Sequence, residues 1–285
     1  MTEVFAVFLV CFWFWGWAEL IAAARFHWGW CVVSAVALAW LCLTRVVFGY
    51  VLAAGIFCLI YLTVLLRRRR EPGRLLASCA LALLLCLPWL LHTHARTGRP
   101  FYWSTAGGLS LYWMSSPVEG EHGDWVSVRD ALSNARRAEH HPLLRQAAAL
   151  DEPAQDALLR RAAFENIRRH PARYAKNVAA NVSRLFFSFP YTRTPQKLTT
   201  LFYIVPNALL LSALAAALAA MLRTPRASVA ATYPYALFAG LAFLGSALLS
   251  AYARMLFPIV PFILFFIVFG LRGMRWRLAA EAGPT

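Results

Sequence analysis

The sequence predicts an all-α, polytopic helical membrane protein of about seven transmembrane helices carrying one helical extracytoplasmic cap. Three observations predict it. Hydrophobic residues make up 60% of the 285 and charged residues only 14%, too little charge to clothe a soluble domain. Mean hydropathy is +0.56. Apolar runs long enough to cross a hydrocarbon core of ~30 Å recur along the chain, and a single polar stretch, residues 92–200, interrupts them.

The spans read at about 4–24, 29–44, 46–66, 75–91, 201–222, 229–250 and 255–271. The second is short for a crossing, which a tilt or partial insertion accommodates. The chain thus divides into 1–91 (spans one to four), 92–200 (the cap) and 201–285 (spans five to seven with a tail). If the spans alternate, Arg67 to Arg70 with Arg74, then Arg223 and Arg226, then Arg272, Arg275 and Arg277 all fall on one side. By the positive-inside rule that side is cytoplasmic. The cap, Arg45, the Ser250 to Arg254 turn and the N-terminus are then extracytoplasmic. An external N-terminus with no basic lead-in and no cleavable signal pattern gives the expectation that Met1 is an internal start, with earlier helices preceding it.

The net charge of +15 would point to nucleic acid in a soluble protein. Here most of it lies at span edges, where it sets topology and meets anionic headgroups, so membrane lipids are the expected partner and nucleic acid is not. The six cysteines, Cys11, Cys31, Cys42, Cys58, Cys79 and Cys86, all lie in apolar runs and read as packing residues rather than a disulfide framework. Glu19, near a span end, is almost the only intramembrane charge.

The cap holds 15 Lys and Arg against 9 Asp and Glu, and six of the seven histidines. Residues 127–150 read as helical. Asp151, Glu152 and Pro153 suit a helix N-terminus, and that helix predicts an apolar stripe of Ala157, Phe164 and Ile167, with Arg160, Arg161, Arg168 and Arg169 toward polar surroundings. Pro171 breaks it. Residues 172–189, with Tyr174, Val178, Val182, Leu185, Phe186 and Phe189, predict an amphipathic helix returning along the membrane surface.

The densest motif opens the cap: Thr97, Gly98, Arg99, Pro100, then Ser104, Thr105, Ala106, Gly107, Gly108, directly after the span ending Pro88, Trp89. Irregular backbone at a membrane surface must line a buried or watery cavity. Amides exposed by such a turn can cradle an anion, although Gly107 and Gly108 also serve simply as turn formers. Arg254, at an outer span end before Pro258 and Pro261, reads either as a phosphate ligand or as a snorkelling anchor, and Arg45 likewise. His92, His94, His140, His141 and His170 fit no standard zinc spacing and read as surface or cap-packing residues. Glu119, Glu121 and Asp124 read as a solvated loop, with metal ligation or acceptor recognition as the alternative. Phe101, Tyr102 and Trp103 could pack inside the cap or hold an isoprenoid or sugar face.

The 97–108 motif resembles the extracytoplasmic loop of bacterial polyprenyl-phosphate-dependent glycosyltransferases, the protein-mannosyltransferase and aminoarabinose-transferase group with the GT-C fold. Three further stretches agree in order: Leu43, Thr44, Arg45; Ile167, Arg168, Arg169, His170, Pro171, Ala172, Arg173, Tyr174; and Ala253, Arg254, Met255 with Pro258 and Pro261, where the family usually has Arg-Tyr and this chain has Arg-Met. The match aligns nearly the whole chain with the C-terminal part of the family. It implies location in a bacterial inner membrane and a polyprenyl-phosphate sugar donor whose sugar passes to a lipid, glycan or protein acceptor. It also implies substrate contacts from Arg254, Arg45, Arg99, Ser104, Thr105, Gly107, Gly108 and His170. No cofactor is implied, and a divalent cation stays open. The family's catalytic aspartate lies in a first loop that has no counterpart here, and Glu3 does not replace it. The catalytic residue is thus unassigned and the isolated chain is expected to lack transfer activity. The alternative is a non-catalytic membrane protein of envelope-polysaccharide handling, a transporter or assembly subunit.

Overall fold

A computed structural model describes residues 2–65, 70–190, 201–222 and 232–281, except the side chains of 201 and 273–281. Within those residues every regular element is helical: α1 (Thr2–Ala22), α2 (Trp28–Thr44), α3 (Val46–Leu65), α4 (Glu71–Thr97), α5 (Gly107–Met114), α6 (Val128–Leu132), α7 (His141–Ala148), α8 (Glu152–Arg169), α9 (Pro171–Phe187), α10 (Leu201–Leu222), α11 (Tyr233–Leu248) and α12 (Val260–Glu281). Short 3₁₀ turns cover Ala135–His140 and Ala253–Ile259. The all-α expectation holds. Among the described residues five helical segments are long and apolar enough to cross a membrane: Thr2–Ala22, Val46–Leu65, Glu71–Thr97, Phe202–Leu222 and Ala253–Arg272. The chain is a helical membrane protein. The other two expected spans correspond to α2 and α11, which have 17 and 16 residues.

The chain forms two compact units, one of 1–89, 205–243 and 257–285, the other of 90–204 and 244–256. The second is therefore wider than the polar stretch, because the end of α11 and the turn after it belong to it.

In the first unit α1 lies along α2, close enough that a Cβ on Gly16 would stand 2.9 Å from the Ser34 Cβ. The Ser34 hydroxyl bonds its own helix at Trp30 O and reaches Ser78 of α4 at 2.8 Å, so neither buried hydroxyl is left unsatisfied in an apolar interior. Trp13 sits among Trp17, Phe238 and Phe262, with ring centroids 4.7, 5.2 and 5.9 Å away. Both ends of α1 are tied by arginines. Arg45 pairs with Glu3 at 2.9 Å, and Arg74 donates to the terminal carbonyls of Leu20, Ala23 and Ala24, a cation at the negative end of a helix. The first contact joins the start of α1 to the end of α2, and the second joins the end of α1 to the start of α4. All six cysteines are free and lie in α1 to α4. Residues 67–69, Arg223 and Arg226 of the basic loops lie outside the described residues, as do the side chains of Arg275 and Arg277.

The second unit has a core of its own: Tyr112, Trp113, Val126, Ala131, Leu144, Ala147, Leu159 and Ala163. Residues 127–150 form three short pieces rather than one helix, because Ser127 and Asn134 each cap a new start by accepting from Asp130 N–H and Arg136 N–H. Asp151 caps α8 as its sequence predicts, accepting from Ala154 N–H. The buried stripe of α8 differs from the expected one. It is Asp156, Leu159 and Ala163, while Phe164 is 59% exposed. Burying a carboxylate on that stripe won over burying Phe164, since Asp156 has partners to meet. The buried residues of α9 are likewise mostly polar, Asn177, Asn181 and Arg184, with Leu185 the one member of the predicted apolar set among them; Tyr174, Val178, Val182 and Phe186 are half-buried.

Candidate functional site

Helix α4 ends where Gly98 adopts φ +66°, with its N–H bonded to His94 O at 2.8 Å. A left-handed residue here is the usual helix stop, and glycine takes it without a Cβ penalty. The chain then turns back through Phe101, also at positive φ (55°). Ser104 accepts from Ala106 N–H at 3.1 Å, and α5 starts at Gly107. The turn closes over Asp156 of α8.

Asp156, whose side chain is fully buried, is bound on both oxygens. Oδ1 accepts from Gly108 N–H at 2.5 Å. Oδ2 accepts from Tyr102 O–H at 2.7 Å, from Arg160 Nη2 at 2.6 Å and from Arg99 Nη1 at 3.4 Å. The amide expected to cradle an anion thus holds one supplied by the chain itself, at the positive end of α5. Burial, and then the Asp156 carboxylate beside it, push the Tyr102 phenol well above its usual range, so its proton stays on the hydroxyl as the donor Asp156 needs. Both guanidinium groups lie over the Tyr102 ring, at 5.4 Å for Arg99 and 5.9 Å for Arg160. At the rim Thr105 donates to Glu152 at 3.3 Å.

A second polar cluster fills the interior of the same unit. Glu121 accepts from Ser116 O–H in a short hydrogen bond, pairs with Arg137 at 3.1 Å and bonds His140 Nε2 at 3.0 Å. His140 Nδ1 meets Tyr112 O–H at 2.6 Å. Arg137 stacks over Trp113 at 4.8 Å. Burial alone would raise the Glu121 carboxyl, but the hydrogen bonds from His140 and Ser116 and the charge of Arg137 hold it below the ordinary glutamate range. The solvated-loop reading of the acidic trio is overturned for two of its members. Glu121 and Asp124 are buried, each beside a buried arginine, and only Glu119 faces solvent, 3.5 Å from Arg173.

A third set stitches the unit together. Asn181 donates to Ser246 O, Ala247 O and Leu249 O and accepts from Ala251 N–H, taking up carbonyls that the end of α11 leaves without helical partners. Arg184 donates to His122 O, Gly123 O and Pro190 O. Tyr174 O–H donates to Leu248 O at 3.0 Å, and Ser250 N–H to Ser110 O at 3.3 Å.

Of the residues singled out from sequence, Arg99, Ser104, Thr105, Gly107 and Gly108 gather on the one turn. His170 is exposed at the break between α8 and α9. Arg254 is exposed at the start of the Ala253–Ile259 turn, its guanidinium 5.6 Å from the Tyr252 ring. Arg45 belongs to the first unit, on Glu3. Sequence reasoning did not assign Asp156, Tyr102 or Arg160 to the site. The usable signal was an aspartate in register with Leu159 and Ala163, an acid where the pattern demands an apolar residue. Among the described residues no group of three or more His, Cys, Asp or Glu side chains is arranged to hold a metal ion. No protein family, characterised protein or solved structure matches the chain.

Proposed function

We propose that this chain acts in a GT-C-like membrane glycosyltransferase, binding a polyprenyl-phosphate sugar donor at an extracytoplasmic cap made by the second unit, in a bacterial inner membrane. The observation that carries the reading is convergence. Two of the four stretches that bear the resemblance, 97–108 and 167–174, and the Ala253–Met255 part of a third belong to one unit, whereas Pro258 and Pro261 belong to the other; the Tyr174–Leu248 and Ser110–Ser250 hydrogen bonds tie their neighbourhoods together. Donor phosphate is met by arginine, whose planar fork suits two phosphate oxygens, with Arg254 the exposed guanidinium at the turn. The full set of seven spans, alternating so that the basic loops are cytoplasmic, belongs to this proposal.

A non-catalytic reading is favoured by one observation. Glycosyl transfer to a hydroxyl calls for a base within reach of the acceptor, yet Glu121, Asp124 and Asp156 are buried beside arginines, Glu3 is paired with Arg45, and solvent-facing Glu119 stands 3.5 Å from Arg173. The chain would then bind lipid-linked sugar without turning it over.

The test is donor binding to the chain in nanodiscs. Arg254→Ala is expected to lose binding by roughly 1.5 to 3 kcal/mol, the worth of a charged hydrogen-bond partner, and Arg254→Lys to lose less. Wild-type affinity in the Ala variant would make Arg254 a membrane anchor. Sustained sugar transfer by the chain would overturn the non-catalytic reading.

A further inference from the structure

We infer that Arg99 and Arg160 together form an oxyanion site for a phosphate group, and that Asp156 is the residue that positions both. The anion recognition stands on this geometry; only its assignment to a lipid phosphate rests on the transferase reading above.

Two guanidinium groups converge on one carboxylate, so the trio carries a net positive charge, with Glu152 the further carboxylate at the rim, held by Thr105. The carboxylate cannot swing out to compete for a ligand, because its side chain is fully buried and its oxygens are held by Gly108 N–H and Tyr102 O–H as well as by the arginines. The guanidinium groups are different: the Arg99 and Arg160 side chains are 36% and 37% exposed. Arg99 spends Nη1 on Asp156 and Arg160 spends Nη2. Each guanidinium has five N–H donors, so most of them remain for a ligand on the open side.

The two groups are also held in orientation. One ring, that of Tyr102, lies under both, and one carboxylate fixes an edge of each. Ordering a long side chain on binding costs free energy, and here that cost has already been met in folding. Two neighbouring arginines of the unit, Arg169 and Arg173, each meet a single glutamate instead, Glu165 and Glu119. A tetrahedral oxyanion is the ligand whose spacing and charge two such forks fit. The phosphate can come from a polyprenyl phosphate or from a soluble phosphate or diphosphate.

The experiment uses the full chain in nanodiscs of zwitterionic lipid, with polyprenyl phosphate, inorganic phosphate and pyrophosphate as separate probes and native mass spectrometry or calorimetry as the readout. Arg99→Gln and Arg160→Gln should each weaken phosphate binding about tenfold or more, with Arg169→Gln unchanged. Asp156→Asn is the decisive variant, since it keeps an acceptor for Gly108 N–H. Net charge alone predicts tighter binding after removal of a negative charge, whereas positioning predicts weaker binding in protein that still elutes as folded monodisperse material. Tighter or unchanged binding by Asp156→Asn, or wild-type affinity in Arg160→Gln, overturns the site. Loss of polyprenyl-phosphate binding in Arg254→Ala but not in Arg99→Gln or Arg160→Gln overturns the site and leaves the transferase reading standing. Binding of the soluble anions without polyprenyl phosphate, lost in both arginine variants, supports the site and removes the transferase reading.

Discussion

The Gly108 amide points at the Asp156 carboxylate, and the two backbones are so close that a Cβ on Gly108 would stand 2.2 Å from the Asp156 carbonyl oxygen. That approach is why the second glycine of the pair is needed, whereas a Cβ on Gly107 would meet nothing nearer than 3.7 Å.

Gly108→Ala is therefore expected to destabilise the second unit by about 1 to 3 kcal/mol, the usual cost of forcing extra volume into a packed contact, and Gly107→Ala by much less. Thermal unfolding of the two variants in detergent should separate them. Equal midpoints would mean that α5 and α8 move apart without cost.

Arg184 has a side chain with no solvent exposure, and it serves three carbonyls and stands 3.9 Å from buried Asp124. Removing one partner of a buried charged set strands the other, at a cost of about 3 to 5 kcal/mol. Arg184→Met should lower the unfolding midpoint sharply, or prevent recovery of folded protein, while exposed Lys176→Met stays within about 0.5 kcal/mol of wild type. Asp124→Asn added to Arg184→Met should restore part of the loss, and its failure to do so would move the main role of Arg184 to the carbonyls.

Glu121 sets an acid limit. Its folded carboxyl titrates below the ordinary glutamate value, so its stabilisation is complete above that value and disappears as pH falls through the depressed one. Unfolding midpoints measured down through the acidic range should fall more steeply in wild type than in Glu121→Gln. The variant should be less stable at neutral pH, because Arg137 and His140 lose their anion. Parallel pH profiles for the two proteins would show that other carboxylates set the acid limit.

Topology is directly testable in a cysteine-free background. An impermeant thiol reagent added outside cells should label cysteine placed at 122 or 151 and miss cysteine placed at 71 or 224, the last of which lies outside the described residues. Labelling at 71 from outside would invert the orientation read from the basic loops.

The amino-acid sequence is enough for the helical membrane class, because bilayer crossing is a matter of length and apolar content, and both are local: α1, α3 and α4 follow from runs of apolar residues without reference to a partner. It also determined where α8 begins, since the Asp151 cap acts within three residues, and that residues 97–108 turn rather than continue α4, since Gly98 supplies the left-handed stop. What faces inward in the second unit was set by tertiary contacts. Periodicity favoured Phe164 on α8 and an apolar set on α9, of which Leu185 is buried, but Asp156, Asn177, Asn181 and Arg184 took buried positions as well. A buried polar group is tolerated when its partners are in place, and those partners, Gly108, Tyr102, Met114, Gly123, Ser246 and Ala247, come from segments up to 66 residues away. No local pattern encodes a hydrogen bond between Asn181 and the end of α11. The fold brings them together, and with them the pair of arginines on Asp156.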